Sequence, residues 1–463
     1  MTHQETIAAL ATPAGAGAIS VIRISGPNAF AIAFGLFRPL RKKDMTRQKT
    51  HTIHLGHIIS GESVLDQVLL CLFKGPNSYT GEDTIEISCH GSPYIQQQIL
   101  QLLIRSGCRM AQPGEFTLRA FLNGKIDLSQ AEAVADLIAS DSEASHRVAM
   151  QQMRGGFSNE LEMLRTELLN FASLIELELD FSEEDVEFAD RSAFSTLLQR
   201  IETVLKRLVD SFAVGNVIKN GIPVAIAGEP NVGKSTLLNA LLNEERAIVS
   251  DIAGTTRDVI EDEISIGGLS FRFIDTAGIR DTQDVIESIG IRKTFEKMES
   301  AQVILYLVDI VLLTNTDDLE RLQNQVQQIR NRFPQKPLVI VGNKADKLTA
   351  DELAHIQSNI DLIPISAKTK SGLEALKSRL LSFVGTGALK NSDTIVTNSR
   401  HYDALLNALN EIVKVRHSLE AGVPADLMAI DIRQALYHLG EITGQVTNDE
   451  LLGNIFANFC IGK

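Results

Sequence analysis

Eight consecutive residues near the middle of the chain, Gly228 to Ser235, form a phosphate-binding motif. They read Gly-Glu-Pro-Asn-Val-Gly-Lys-Ser and complete the pattern G-x-x-x-x-G-K-[ST]. In such a loop the backbone N–H groups surround a phosphate at the start of a helix, where the helix dipole favours an anion. We expect Lys234 to bridge the β- and γ-phosphates and the Ser235 hydroxyl to ligate Mg²⁺. For one loop taken alone, the alternative is a glycine-rich turn that binds nothing.

Four further motifs follow this loop in the order and at the spacing of a GTP site. They are Gly254-Thr-Thr256, Asp275-Thr-Ala-Gly278, Asn343-Lys-Ala-Asp346 and Ser366-Ala-Lys368. We expect Thr256 to be the second Mg²⁺ ligand, Asp275 to hold a Mg²⁺-bound water and the Gly278 N–H to contact the γ-phosphate. A chance glycine turn does not explain five ordered motifs, so the sequence predicts nucleotide binding.

Selection of the base is assigned to Asp346. A carboxylate there can accept hydrogen bonds from the N1–H and the 2-amino group of guanine, whereas adenine offers no such pair. Against adenine the carboxylate would be left without partners. We expect the backbone around Ala367 to contact the guanine O6 oxygen. The sequence therefore predicts GTP rather than ATP.

The complete predicted GTP-binding set joins the five motifs with their neighbours. It consists of Asn231, Val232, Gly233, Lys234, Ser235, Thr236, Ser250, Asp251, Ile252, Ala253, Gly254, Thr255, Thr256, Asp275, Thr276, Ala277, Gly278, Asn343, Lys344, Ala345, Asp346, Ser366, Ala367 and Lys368. Of these, Lys234 and Thr256 are also predicted to take part in catalysis.

Two positions depart from the pattern of Ras-type enzymes. Ile279 stands where those enzymes carry the glutamine that positions the attacking water. An aliphatic side chain cannot orient water, so another group must do so. Asn231 lies inside the phosphate loop, where its amide oxygen could help to hold a monovalent cation in the place of an arginine finger. The alternative for Asn231 is a turn residue only.

Length and composition limit what surrounds this site. A chain of 463 residues predicts about three domains. Its longest apolar run, Val303 to Leu313, is interrupted by Asp309 and is too short to span a membrane, so we expect a buried strand. The N-terminus lacks the features of a secretory signal, and the four cysteines form no C-x-x-C pair. These features predict a cytoplasmic protein with reduced thiols and no membrane partner.

The chain has a net charge of −14, and its charged residues are unevenly distributed along the sequence. Residues 1–120 carry 11 Lys and Arg against 8 Asp and Glu, whereas residues 121–215 carry 8 against 18. The acidic stretch from Glu176 to Asp190 is best explained as a solvated junction between helices. Any RNA must therefore bind locally or through a partner, not through a field over the whole protein.

The hydrophobic pattern predicts a multidomain α/β protein. In residues 1–120, an α+β domain, we expect strands at 18–24, 52–59, 68–73 and 84–88, and a helix over 93–105 capped by Ser92. Helical periodicity follows at 129–140, 157–179 and 192–212, and again at 400–419, 425–439 and 449–456. Gly215 and the segment Asn220-Gly-Ile-Pro223 mark a boundary before the strand 224–227. The economical arrangement is a central all-α domain, 121–215 plus 384–463, into which a doubly wound Ras-like P-loop domain, 216–383, is inserted.

Motifs outside the nucleotide site carry a resemblance along essentially the whole chain. They are Ala11-Thr-Pro13, Arg23-Ile-Ser-Gly26, Pro76–Asp83, His90-Gly91, Pro113–Phe116, Arg119–Leu128, Gln130–Ala133, Asp251–Asp258 and the ending Phe459-Cys-Ile-Gly-Lys463. In these motifs the chain resembles the bacterial and organellar tRNA-modification GTPases of the MnmE (TrmE) family, within the TrmE-Era-EngA type of translation GTPases.

The resemblance implies a set of ligands and partners. The N-terminal domain would be similar to folate-binding aminomethyltransferases and would form a homodimer. Arg23, Glu86, Lys125 and Lys463 match residues that bind a formyl- or methylene-tetrahydrofolate. Asn231, Ser250, Ile252 and Thr255 match K⁺ ligands, and Glu287 matches a catalytic glutamate, which would fill the gap left by Ile279. The family works with the flavin-dependent MnmG (GidA) on C5 of the wobble uridine of certain tRNAs.

Three alternatives stay open. Cys460, close to Lys463, is either a nucleophile or part of a tail that docks. A ribosome-assembly GTPase would need an RNA-binding module, and no KH-type G-x-x-G motif is found beside the acidic flanks. A folate-dependent aminomethyltransferase would use its GTP-binding domain only as a regulatory clamp.

Overall fold

A computed structural model of the chain describes residues 5–180, 191–245, 261–275, 295–313, 315–383, 394–447, 449–457 and 459–462. The chain forms two compact units. The first comprises residues 1–138, 150–205 and 404–463, and the second comprises residues 139–149 and 206–403.

A seven-stranded sheet is the centre of the N-terminal part of the first unit. Its strand order is β3-β4-β5-β6-β2-β1-β7, and neighbours are antiparallel except for the parallel pair β1 and β7. The strands are β1 (Ile7–Leu10), β2 (Ile19–Ser25), β3 (Phe37–Pro39), β4 (Thr52–Ser60), β5 (Ser63–Phe73), β6 (Thr84–His90) and β7 (Arg109–Met110). The four predicted strands are confirmed as β2, β4, β5 and β6.

Alternation along the strands gives this sheet two different faces. One face contributes Ile85, Ile87 and Cys89 from β6 to a core that helices α1 (Ala29–Leu36) and α2 (Pro93–Arg105) cover. Glu86 and Ser88 point to the opposite face, as period-two geometry requires. The predicted helix 93–105 is confirmed, and Ser92 precedes it without a side-chain hydrogen bond to the helix.

The other predicted helices are also present, with longer bounds in most cases. They are α4 (Leu128–Ala139), α6 (Gly156–Asp180), α7 (Arg191–Asn220), α12 (Ser399–Glu420), α13 (Ala425–Thr443) and α14 (Asp449–Ala457). The structure adds two helices that the sequence analysis does not predict, α3 (Glu115–Leu122) and α5 (Glu143–Met153). In the described part of the chain, none of the helices combines the length and the apolar character needed to cross a membrane.

Gly215 does not end a helix, contrary to the sequence-based expectation. It lies inside α7, which continues to Asn220. A Cβ atom at Gly215 would collide with the carbonyl oxygen of Val396. This glycine therefore serves the close approach of two backbones, and the chain turns only at Gly221, which has a φ of +72°.

The second unit contains a six-stranded sheet with helices on both faces. Its order is β13-β12-β11-β8-β10-β9, parallel except for the β9–β10 hairpin. The elements are β8 (Ile222–Ala227), α8 (Lys234–Glu245), β9 (Glu261–Ile266), β10 (Leu269–Asp275), β11 (Val303–Asp309), α9 (Thr316–Arg332), β12 (Leu338–Asn343), α10 (Ala350–Asn359), β13 (Ile363–Pro364) and α11 (Leu373–Ser382).

Alternate residues of the central strands pack into two separate hydrophobic cores, one on each face of the sheet. Val224 and Ile226 of β8 pack in a cluster with Leu237 of α8, whereas Ala225 and Ala227 pack in a cluster with Leu322 of α9. Such double burial suits a parallel sheet covered on both sides. The predicted doubly wound sheet and the predicted buried strand in 303–313 are confirmed.

Candidate nucleotide-binding site

Three of the predicted GTP motifs begin at the carboxyl ends of parallel strands in the same sheet. Ala227 ends β8 and leads into the loop 228–233, Asn343 ends β12, and Asp275 ends β10 opposite Ile226 of β8. In open parallel sheets, ligands bind at this edge. The sheet topology therefore brings together motifs that lie over a hundred residues apart in the chain.

Backbone geometry shapes the phosphate loop. Gly228 has a φ of +146° and Gly233 a φ of +101°, and a Cβ atom would strike the Leu307 carbonyl oxygen at the first and the Asn343 amide at the second. The backbone of Asn231 also lies in the left-handed region, with a φ of +64°. Asparagine tolerates this conformation better than most residues do. Its turn role is thus present, and its exposed side chain is still available to a ligand.

Lys234 is already directed into the loop. Its Nζ donates to the carbonyl oxygens of Gly228 at 2.7 Å and Glu229 at 3.0 Å. Ser235 and Thr236 follow as exposed residues in the first turn of α8, where backbone N–H groups lack intrahelical partners. This donor set, an ammonium, hydroxyls and free N–H groups, fits a phosphate chain with its Mg²⁺.

Asn343 braces two loops rather than facing solvent. It is 3% exposed, its Nδ2 donates to the Val232 carbonyl oxygen at 2.8 Å, and its Oδ1 accepts from the Ala367 N–H at 3.0 Å. The phosphate loop and the Ser366-Ala-Lys368 loop are therefore fixed to each other through one buried amide. The Ala367 N–H, which we expected near the guanine O6 oxygen, is engaged in this brace.

Lys344 connects the base motif to two other parts of the site. Its φ is +69°, and its Nζ forms an ion pair with the carboxylate of Asp309 and approaches the Asn231 carbonyl oxygen at 3.4 Å. Sequence reasoning missed Asp309. The available signal was an acidic residue that ends the buried strand β11 at the same edge of the sheet.

Asp346 is exposed and prepared to accept hydrogen bonds. A hydrogen bond from the Ser366 side chain is the main cause that holds its pKa below the usual range, and the positive charges of Lys347 and Lys368 act in the same direction. The carboxylate is thus ionised at neutral pH. An ionised, solvent-facing carboxylate can accept both guanine donors.

Part of the predicted set lies outside the described residues. These are Ser250, Asp251, Ile252, Ala253, Gly254, Thr255, Thr256, Thr276, Ala277, Gly278, Glu287 and Lys463. The predictions on them, which include the second Mg²⁺ ligand, three K⁺ ligands and the catalytic glutamate, remain predictions.

The predicted folate residues centre on an ion pair in the first unit. Arg23 of β2 and Glu86 of β6 are cross-strand partners, and two guanidinium nitrogens of Arg23 donate to Glu86 Oε1 at 2.9 and 2.8 Å. The guanidinium carbon lies 5.2 Å from the Tyr79 ring centroid and 5.6 Å from that of Phe116. Among the described residues Glu86 Oε2 has no hydrogen-bond partner, so it can accept from a ligand donor such as a pterin.

The C-terminal tail docks beside this pair. The Gly462 carbonyl oxygen lies 3.4 Å from an Arg23 nitrogen, and a Cβ atom at Gly462 would collide with the Leu10 carbonyl. Cys460 is exposed, and its carbonyl oxygen accepts from the Gly114 N–H at 3.4 Å. Of the two alternatives for Cys460, the described contacts are those of a docked tail. Lys125 donates to the Pro76 carbonyl at 3.0 Å and makes no hydrogen bond to the Arg23–Glu86 pair.

This fold and this site define a P-loop protein of the guanine-nucleotide-binding class. Family models described as "GTP-binding protein TrmE N-terminus" and "MnmE helical domain" match residues 6–125 and 128–460. Proteins named tRNA modification GTPase MnmE from Flavobacterium psychrophilum and Flavobacterium johnsoniae are 70% and 69% identical, with 100% of each chain covered. The chain belongs to the MnmE family of tRNA modification GTPases. A solved structure of Aquifex aeolicus Era bound to GDP.AlF4- is 31% identical over 41% of this chain and 66% of that one, with a TM-score of 0.27.

Proposed function

We propose that this chain hydrolyses GTP and uses hydrolysis in the modification of tRNA in the cytoplasm. The observation that carries the proposal is the joint placement of the phosphate loop and the base motif, held together by Asn343. Membership of the family supports the assignment to tRNA.

The chain's own residues suit the binding and orienting steps. Lys234 would exchange its two carbonyl partners for β- and γ-phosphate oxygens, and Asp346 would accept the two guanine donors. Ser235, with Thr256, would hold Mg²⁺, which when bound neutralises charge on the phosphates. Each of these interactions positions the nucleotide before any bond breaks, which is the main contribution of the protein in phosphoryl transfer.

Asn231 and Glu287 complete the proposed mechanism. Asn231 presents an exposed amide inside the loop, and with Ser250, Ile252 and Thr255 it would hold K⁺ beside the phosphates. Such a fixed positive charge stabilises charge that develops during phosphoryl transfer. Glu287 would orient the attacking water, because Ile279 cannot.

We further propose that a tetrahydrofolate binds at the Arg23–Glu86 pair, with Lys125 and Lys463 contributing cations. The pair is 15% and 26% exposed, so a ligand can reach it, and it has both an unused acceptor and two flanking aromatic rings. With a flavoprotein partner of the MnmG type, the one-carbon unit would build an aminomethyl-type group at C5 of the wobble uridine. The proposed parts are 1–120 for folate and dimerisation, 121–215 with 384–463 as the helical part, and 216–383 for GTP.

A homodimer is proposed through an exposed apolar surface on strands β4 and β5 of the seven-stranded sheet. Ile53 and Leu55 of β4 and Leu69 of β5 are 64%, 47% and 42% exposed, and Leu55 pairs directly with Leu69. A cluster of exposed apolar side chains on a sheet surface marks an association surface. Leu55→Glu together with Leu69→Glu should convert a dimer to a monomer in sedimentation equilibrium, and a wild-type monomer would contradict the proposal.

Modified nucleosides in tRNA provide the decisive test. A strain that lacks this chain should lose one wobble-uridine modification, and the wild-type gene should restore it whereas Asp346→Asn should not. Unchanged tRNA together with a defect in ribosomal subunits would favour the ribosome-assembly alternative. Restoration by variants that bind GTP without hydrolysing it would favour an aminomethyltransferase with a regulatory GTP clamp.

A further inference from the structure

The most basic segment of this acidic chain lies at one edge of the seven-stranded sheet. Residues 38–49 contain six Lys and Arg and one Asp, against a net charge of −14 for the whole chain. No other window of twelve residues that avoids this segment holds more than four Lys and Arg. The cations are Arg38, Arg41, Lys42, Lys43, Arg47 and Lys49. They begin on the edge strand β3 and continue to the start of β4.

This basic segment has a defined conformation. Met45 is buried in the core beneath the sheet and anchors the middle of the segment. Asp44 begins a short 3₁₀ turn, where its Oδ1 accepts from the Thr46 N–H at 3.0 Å and its carbonyl oxygen accepts from Gln48 Nε2 at 2.7 Å. The cations on either side of Met45 are therefore displayed from a fixed backbone.

The charges of the segment are largely uncompensated. All six basic side chains belong to exposed residues. Arg47 pairs with Asp44 at 3.2 Å and Lys43 Nζ lies 3.3 Å from a ring nitrogen of His54. Arg38, Arg41, Lys42 and Lys49 form no ion pair with any residue that the structure describes. Exposed ion pairs add little to stability even where they form, so the fold does not explain this concentration of charge.

We propose that residues 38–49 contact the phosphate backbone of tRNA, an inference that rests on the proposed function in tRNA modification. Phosphate contacts fix the position and orientation of a nucleic acid without reading its sequence. Because the rest of the chain is net negative, phosphates would be repelled elsewhere and attracted at this edge. One local basic segment is what an acidic protein needs to hold an RNA in a single orientation.

The test compares two triple variants with the same change in net charge. Arg41→Gln, Lys42→Gln and Lys49→Gln remove three unpaired cations of the segment. Arg105→Gln, Lys206→Gln and Arg330→Gln remove three exposed cations scattered over other helices. Both full-length variants should keep the wild-type rate of GTP hydrolysis, which shows that they fold. Affinity for an unmodified tRNA transcript is then measured against KCl concentration.

Loss of three phosphate contacts should make the slope of log K against log salt shallower by about 2 to 3. The ratio of the wild-type affinity for tRNA to that of the segment variant should therefore fall by about 20- to 40-fold between about 50 and 200 mM KCl. The scattered variant should keep the wild-type slope. Equal slopes for the two variants would overturn the proposal.

Two other outcomes separate the alternatives. A segment variant that binds tRNA normally but no longer binds phosphatidylglycerol vesicles would assign the segment to a membrane surface and overturn the tRNA contact. If the wild-type gene restores the modified nucleoside but the segment variant retains its affinity for tRNA, the tRNA contact of residues 38–49 is overturned. The proposed function in tRNA modification is then unaffected. Failure of the wild-type gene to restore the nucleoside overturns the proposed function instead.

Discussion

Replacing Asn343 by alanine should destabilise the nucleotide-binding unit more than any exposed substitution in it. The side chain is almost fully buried and makes two hydrogen bonds, to the Val232 carbonyl oxygen and from the Ala367 N–H. Alanine removes both and leaves a buried acceptor and a buried donor without partners. Each unsatisfied group costs about 1–3 kcal/mol, so the two together should lower the free energy of unfolding by about 2–6 kcal/mol.

Thermal unfolding in the absence and presence of GDP measures this effect. Only the transition that GDP shifts is compared, because a chain with two compact units need not unfold in one step. A loss of about 2–6 kcal/mol corresponds to a midpoint lower by about 4–24 °C for a unit of this size. Because the same amide fixes both loops, the affinity for GDP should fall as well.

Asn239→Ala is the matched control. This asparagine lies exposed on α8, in the same unit. Its side chain makes no hydrogen bond to any residue that the structure describes. Its substitution should change the stability by less than about 0.5 kcal/mol. A midpoint for Asn343→Ala that equals that of the control would refute the argument that this amide braces the site.

Four further predictions address the proposed chemistry. Asp346→Asn should transfer preference from GTP to xanthosine triphosphate in competition binding, because the new NH₂ opposes a guanine donor; retained GTP selectivity would contradict the assignment. Hydrolysis should be faster in KCl than in NaCl at equal ionic strength, and equal initial rates would exclude a potassium role for Asn231. Glu287→Ala should reduce turnover with nearly unchanged GTP affinity, and a parallel loss of affinity would assign this residue to binding. Burial raises the pKa of Glu115, but hydrogen bonds from Arg109, the Gln112 N–H and Arg119 outweigh it and lower the pKa from 4.5 to about 2. The resulting stability of about 3 kcal/mol should be present above pH 4.5 and be lost as pH falls towards 2, and Glu115→Gln should flatten this acid limb in urea titrations.

The parts of the fold that the sequence predicts are those with a strong period or a strong motif. Strands β4, β5 and β6 alternate because one face packs on helices and the other does not. Helices α6 and α7 repeat apolar residues every three or four positions over many turns. β1 is only four residues long and α1 is apolar on nearly all sides, so neither carries a readable period.

Gly215 shows why one residue type cannot by itself mark a boundary. Glycine is favoured both where a helix ends and where another backbone approaches closely. At Gly215 the second reason applies, because the Val396 carbonyl lies against it. That neighbour is 181 positions away in the chain. Whether such a glycine ends a helix or allows a close backbone approach therefore depends on a long-range contact, which the neighbouring residues in the sequence do not reveal.

In the candidate site, likewise, the motif identifies the residues, and their contacts in the structure assign the role of each one. The motif Asn343–Asp346 indicates that these residue types are needed together, but it does not say which of them touches the nucleotide. Burial separates them: Asn343 is enclosed by two loops, whereas Asp346 is exposed. Asn343→Ala should therefore lower the affinity for guanosine and xanthosine nucleotides by the same factor, because it loosens the two loops that bind both nucleotides. Asp346→Asn should change the ratio of their affinities, because only the exposed carboxylate distinguishes the bases. If Asn343→Ala changed that ratio as well, the amide would contact the base and the division of roles by burial would be wrong.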